Sequence, residues 1–202
     1  MKFSKKDLLF SLITGFYTGF IAWRIFDFLQ IPSVNGFSFA WLMVFVPVLW
    51  VLGVNLGYFL GRWFNFFNQF GKFAAIGFTN AAVDFGILNL LIFYSGSATG
   101  VLFSVFKGIS FTIAAVHSYF WNKFWTFEAS KTGVSSQEFF KFFSVIFIAT
   151  LINVGTASIV VNVIGLQFGF SEEAWANIGA VIGSAIALAV SFVGFKKAVF
   201  KK

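Results

Sequence analysis

Long apolar runs constrain this chain more than any other feature. A helix crosses roughly 30 Å of hydrocarbon with about 20 apolar residues. Six stretches meet that length, at residues 8–28, 38–61, 73–95, 101–121, 140–165 and 175–196. The segments between them are short, with Pro32 and an Asn35-Gly36 turn in the first gap. Only 10% of the 202 residues are charged, against roughly a quarter in a soluble domain, which is too little to cover a globule in water. Backbone groups in hydrocarbon must be satisfied within their own segment, and helices do so. The sequence therefore predicts an all-α, polytopic helical membrane protein with six transmembrane helices.

The few charges follow a pattern. Lys2, Lys5, Lys6, Arg62, Lys72, Lys123, Lys131, Lys141, Lys196, Lys197, Lys201 and Lys202 fall on one side of this topology, and the three opposite loops hold no lysine or arginine. By the positive-inside rule both termini are expected in the cytoplasm, as in a multi-pass inner (cell) membrane protein. The net charge of +7 sits at helix ends and forms no basic face, so nucleic acid is not an expected partner. Arg24 can snorkel beside Asp27 at the outer end of the first span, whereas Lys107 has no such route to water. The N-terminus imitates a signal peptide but lacks a small-residue cleavage site, so an uncleaved first span is expected. With no cysteine and the single histidine His117, disulfides and thiolate chemistry are excluded, and neither a metal nor a cofactor is expected.

Local signals refine the helices. Ser135 with Glu138 has capping-box spacing, and Ser171 ahead of Glu172 and Glu173 suits a helix N-terminus. Small residues recur four apart at Gly15 and Gly19, at Gly53, Gly57 and Gly61, and at Gly179 and Gly183. That spacing allows close helix approach, which fits packing within one chain and a homo-oligomer seam alike. Pro47 is expected to kink the second span.

The last four spans read as a duplicated helical hairpin. Lys72 and Phe73, with Asp84, Phe85 and Gly86 at fixed spacing, correspond to Lys141 and Phe142 with Asn153, Val154 and Gly155. The stretch 118–127 corresponds to 191–200. Each hairpin crosses twice, so both copies start from the same side and the repeat is parallel. The expected organisation is a two-span extension at 1–71 and a four-span domain at 72–202, with repeats at 72–127 and 141–200.

Lys72 and Phe73, then Gly77, Asn80 and Asp84-Phe85-Gly86, then Ser118, Tyr119, Phe120, Trp121, Asn122, Lys123, Phe124, Trp125, Thr126 and Phe127 resemble the GtrA-like family of small four-span membrane proteins. The resemblance covers 72–200, and the Asn-basic-x-Trp-x-Phe run at 122–127 is its most specific element. The second copy has Phe195 and Ala198 at the Asn and Trp positions, so it is not carried over as a second headgroup site. The resemblance implies handling of polyprenyl-phosphate-linked sugars for cell-surface polysaccharide synthesis. It implies a flippase for these lipids, with a non-transporting membrane partner of a polyprenyl-phosphate glycosyltransferase as the alternative.

Within that reading, Lys72, Asn122, Lys123 and Lys141 lie at the cytoplasmic boundary, where ammonium and amide groups can donate to a lipid phosphate. Positive-inside anchoring explains the lysines as well, but Asn122 adds nothing to topology. Trp121, Trp125 and Phe127 are expected in the interfacial belt, with stacking on a sugar the alternative. By helical rise Asp84 lies about 18 Å above Lys72, and Lys107 about 22 Å above Asn122. An unpaired charge at that depth costs about 2.5–3.5 kcal/mol, so a mutual Asp84–Lys107 pair is expected. Such a pair either orients the hairpin or opens as a stepping stone for an anionic headgroup. Asn80, Asn89 and Asn153 need partners within apolar runs, and Asn80 and Asn153 extend the intramembrane polar path marked by Asp84 and Lys107. His117, a little over one turn from Asn122, is expected to be hydrogen-bonded.

The expected partners are the bilayer, a polyprenyl-phosphate glycolipid and a glycosyltransferase. A small-solute transporter is the remaining alternative and would want an acidic group for proton coupling, for which Asp84 is the candidate at depth. The sequence shows no nucleophile-base pair, metal set or nucleotide loop, so an enzyme is not expected.

Overall fold

The computed structural model describes residues 2–33, 36–126 and 136–198, with side chains described for all of these except 136–143, 145 and 188–198. Six long helices follow in order: α1 Lys5–Phe28, α2 Leu42–Leu60, α3 Phe67–Ser95, α4 Gly100–Trp121, α5 Ser136–Ser158 and α6 Glu172–Ala198. A short 3-10 turn, Phe39–Trp41, leads into α2, while wider π-type turns extend α4 through Asn122–Thr126 and α5 through Ile159–Ile164. Among the described residues five helices are long and apolar enough to cross a membrane. The chain is thus an all-helical polytopic membrane protein. Each expected span falls on a helix, and every helix except α2 begins earlier than hydropathy indicates. The clearest case is α3, which starts at Phe67, so that Lys72 lies inside the helix and not at its edge.

The chain divides into two compact units. The first comprises Met1–Gly86 and Ala114–Thr132. In it α1 turns Asp7, Ser11, Thr14 and Thr18 inward with Gly15 and Gly19, while Leu8, Leu12, Phe16 and Phe20 are exposed. This helix is polar inside and apolar outside, as hydrocarbon requires when polar side chains must find partners. Gly15 and Gly19 press α1 onto α2: a Cβ at Gly15 would lie 2.7 Å from the Pro47 backbone nitrogen, and Gly19 sits against the Leu42 carbonyl. Gly57 meets α3 at Gly71 and the Phe67 carbonyl in the same way. These glycines therefore pack helices within one chain. The Thr79 hydroxyl accepts from Trp50 Nε1 at 3.1 Å and from the Thr18 hydroxyl at 3.0 Å, joining α1, α2 and α3.

The second unit comprises Ile87–Ile113 and Gly133–Lys202. Gly179 and Gly183 bring α6 against α5, where a Cβ at Gly183 would lie 2.6 Å from the Asn153 carbonyl oxygen. Asn89 and Asn177 exchange two amide hydrogen bonds of 2.7 Å, and Asn153 donates to the Ser184 hydroxyl at 3.0 Å. Ser171 caps α6 through the Ala174 N–H at 3.2 Å, as its spacing predicts. The other expected cap, Ser135, and the turn residue Asn35 lie outside the described residues.

Candidate functional site

A polar cluster of the first unit forms where the start of α1, the end of α2, the second turn of α3 and the π turn after α4 meet. At its centre is Asp7, 2% exposed. Ser4 caps α1, accepting from the Asp7 N–H at 3.2 Å, and its own N–H donates to Asp7 Oδ2 at 3.0 Å. This capping box holds the carboxylate at the base of the helix. Lys72 Nζ lies 2.9 Å from Asp7 Oδ1, Trp125 Nε1 donates to the same oxygen at 3.0 Å, and the Tyr58 hydroxyl donates to Oδ2 at 3.1 Å. Lys72 is itself 2% exposed, with its ammonium 5.4 Å from the centre of the Tyr58 ring. Phe3 stands edge-on to Tyr58, and Phe10 edge-on to Trp125 and Trp121, closing the cluster in apolar rings.

The π turn supplies the neighbouring groups. Asn122 donates to the Ser118 carbonyl at 3.0 Å and accepts from the Thr126 hydroxyl at 3.0 Å, so its amide braces the widened turn. Lys123 is buried and donates to the Tyr119 hydroxyl at 3.3 Å. Lys6 ties α1 to this turn through the Phe124 carbonyl at 2.8 Å. One face further along, His117 Nε2 and the Tyr17 hydroxyl share a 2.6 Å hydrogen bond. His117 Nδ1, Asn80 Oδ1 and Ser11 Oγ have no hydrogen-bond partner among the described residues.

Of the residues singled out from the sequence, the structure gathers Lys72, Asn122 and Lys123 at one end of the first unit. Lys141 is on α5, and its side chain lies outside the described residues, as does Phe127. Asp84 is 3% exposed in the first unit and Lys107 is fully buried in the second, with its ammonium 5.8 Å from the Phe111 ring centre. Neither charge lacks a partner. Asn153 has the interhelical bond expected of it through its amide nitrogen, while its Oδ1 has no partner among the described residues. Arg24 and Asp27 form the exposed pair that their spacing predicts, at 3.0 Å.

Trp125 departs from the belt position its composition suggests. It is fully buried, because its indole N–H has a carboxylate to bind in the interior. Sequence reasoning also missed Asp7, which lies among N-terminal lysines and reads as part of a charged leader. Two signals point to it: the Ser4-x-x-Asp7 capping spacing, and the polar sequence Asp7, Ser11, Thr14, Thr18 along one face of an otherwise apolar helix.

Comparisons with curated proteins and with solved structures returned no match. The sequence profile of the GtrA/DPMS transmembrane domain matches residues 72–200, well over half of the chain and the stretch that supplies Lys72, Asn122, Lys123 and Trp125, so the chain belongs to this family.

Proposed function

We propose that this protein binds polyprenyl-phosphate-linked sugars at the cytoplasmic face of the inner membrane and carries them across the bilayer for cell-surface polysaccharide synthesis. Family membership supports membrane handling of such glycolipids in general. The observation that carries the finer reading is the burial of Lys72 and Lys123, at 2% and 7% exposure. A lysine that only fixes topology reaches outward to the headgroup layer; these two are turned into the protein, where an ammonium needs an anion or a strong acceptor. In this reading Lys72, Asn122 and Lys123 receive the lipid phosphate while the isoprenoid tail stays in hydrocarbon. Asn80 and Asp84 along α3 are the polar groups of the first unit that the headgroup meets at depth. The role is one of binding and movement, without bond-making chemistry.

The test is a flipping assay in proteoliposomes with a fluorescent polyprenyl-phosphate sugar. The unaltered protein is expected to accelerate translocation. Asp84→Asn and Asn122→Ala are expected to slow it by about tenfold, the loss of one charge-assisted or amide contact. Absence of flipping by the unaltered protein, together with co-purification of a glycosyltransferase, would replace this reading with that of a non-transporting partner.

A further inference from the structure

The cluster around Asp7 is built as an anion site. Lys72 Nζ, Trp125 Nε1 and the Tyr58 hydroxyl come from three different elements and converge on the two oxygens of one carboxylate at 2.9–3.1 Å. Two of these donors, Lys72 and Trp125, lie within the family stretch 72–200, whereas Asp7 lies in the part of the chain that precedes it. The anion is thus supplied by α1 to a lysine and an indole that the family domain presents, with the Tyr58 hydroxyl of α2 as the third donor. We propose that Asp7 is a tethered occupant of a phosphate site, and that a lipid phosphate binds Lys72, Trp125 and Tyr58 by exchange with the Asp7 carboxylate. This deepens the reading above and rests on it for the identity of the lipid.

Exchange is favoured over simple opening because Lys72 is almost wholly buried and its ammonium cannot stand without an anion in that interior. The phosphodiester of a polyprenyl-phosphate-linked sugar carries one negative charge and two free acceptor oxygens, as a carboxylate does, so it can hold the same donors. Asp7 is well placed to move: it lies in the first turn of α1, and the bonds that hold it there besides the donors are its own cap with Ser4. Exchange also makes the first helix a brake on the site, since an anion must compete with a ligand that never diffuses away.

The test is equilibrium binding of farnesyl phosphate and inorganic phosphate to the full chain in detergent. If Asp7 fills the site nine-tenths of the time, Asp7→Asn raises affinity about tenfold, by removing the competitor. The gain is expected to vanish when Lys72→Met is added. A folded Asp7→Asn protein that binds no tighter, or a gain that survives Lys72→Met, would overturn the proposal. A second measurement needs no altered Asp7: the indole N–H resonance of Trp125, assigned by its loss in Trp125→Phe, should shift on saturation with farnesyl phosphate. An unmoved Trp125 resonance at saturation would overturn the proposal on its own. The binding readout is separate from transport. Tighter binding by Asp7→Asn without flipping upholds the anion site and ends the transport reading; intact flipping with no gain from Asp7→Asn does the reverse.

Discussion

Lys72 and Asp7 hold each other in an interior that neither could enter alone. Removing one partner leaves the other charged and buried, so Asp7→Ala and Lys72→Met are each expected to lower stability by about 3–5 kcal/mol. The double variant should lose less than the sum, with a coupling of about 1–3 kcal/mol. Unfolding in SDS-containing mixed micelles, followed by circular dichroism, measures all three. Equal losses for the double variant and the summed singles would mean the pair is not energetically coupled. A milder case is Asn89, whose amide exchanges two bonds with Asn177. Asn89→Leu is expected to lower stability by about 0.6–2 kcal/mol, the range for a hydrogen bond between membrane helices. Asn177 retains its bond to the Glu173 carbonyl, which keeps the loss at the lower end.

At the scale of elements, glycines with the same spacing have different jobs. Gly15 lies where a Cβ would press into the Pro47 backbone, whereas a Cβ at Gly53 would meet nothing within 4 Å. Gly15→Ala therefore forces α1 away from α2 and is expected to lower stability by about 1–3 kcal/mol. Gly53→Ala meets no such obstacle and gains helix propensity, so it should be neutral or stabilising by up to about 1 kcal/mol. Thermal melts of the two purified variants against the unaltered protein decide this, and equal melting temperatures would show that the α1–α2 approach tolerates widening. The sequence pattern marked both glycines alike, because it records size and period but not what lies opposite.

For the molecule as a whole, the first two helices are part of a compact unit with residues of the family domain, and α1 provides the counter-ion for Lys72. A chain cut to begin after α2 is expected to fold poorly, since it leaves Lys72 buried without Asp7, and Lys72→Met should recover part of the loss. Yields of monodisperse protein in detergent for the two truncated forms test this. If the cut chain were as well behaved with lysine as with methionine at position 72, the first helix would be dispensable for that charge. The basic residues predict a second global property. Reporter fusions at the two termini should both read as cytoplasmic, and an external C-terminus would contradict the charge rule.

Helix number, approximate bounds and membrane character were legible in the sequence, because hydropathy and capping are local properties written in neighbouring residues. The family stretch was legible too, through Lys72, Asp84 and the run at 122–127. Part of the candidate site was legible: Lys72, Asn122 and Lys123 could be named, but not what each one touches. That Lys72 binds Asp7, that Trp125 turns inward to the same carboxylate, and that Thr79 accepts from both Trp50 and Thr18 were decided by the tertiary structure alone. The physical reason is the same for each. In hydrocarbon every polar side chain must find a partner, so the sequence determines which residues carry polar groups in or beside the apolar runs, but only the packing of α1 against α3 and the turn after α4 buries Lys72 and gives it Asp7 as the anion that burial requires.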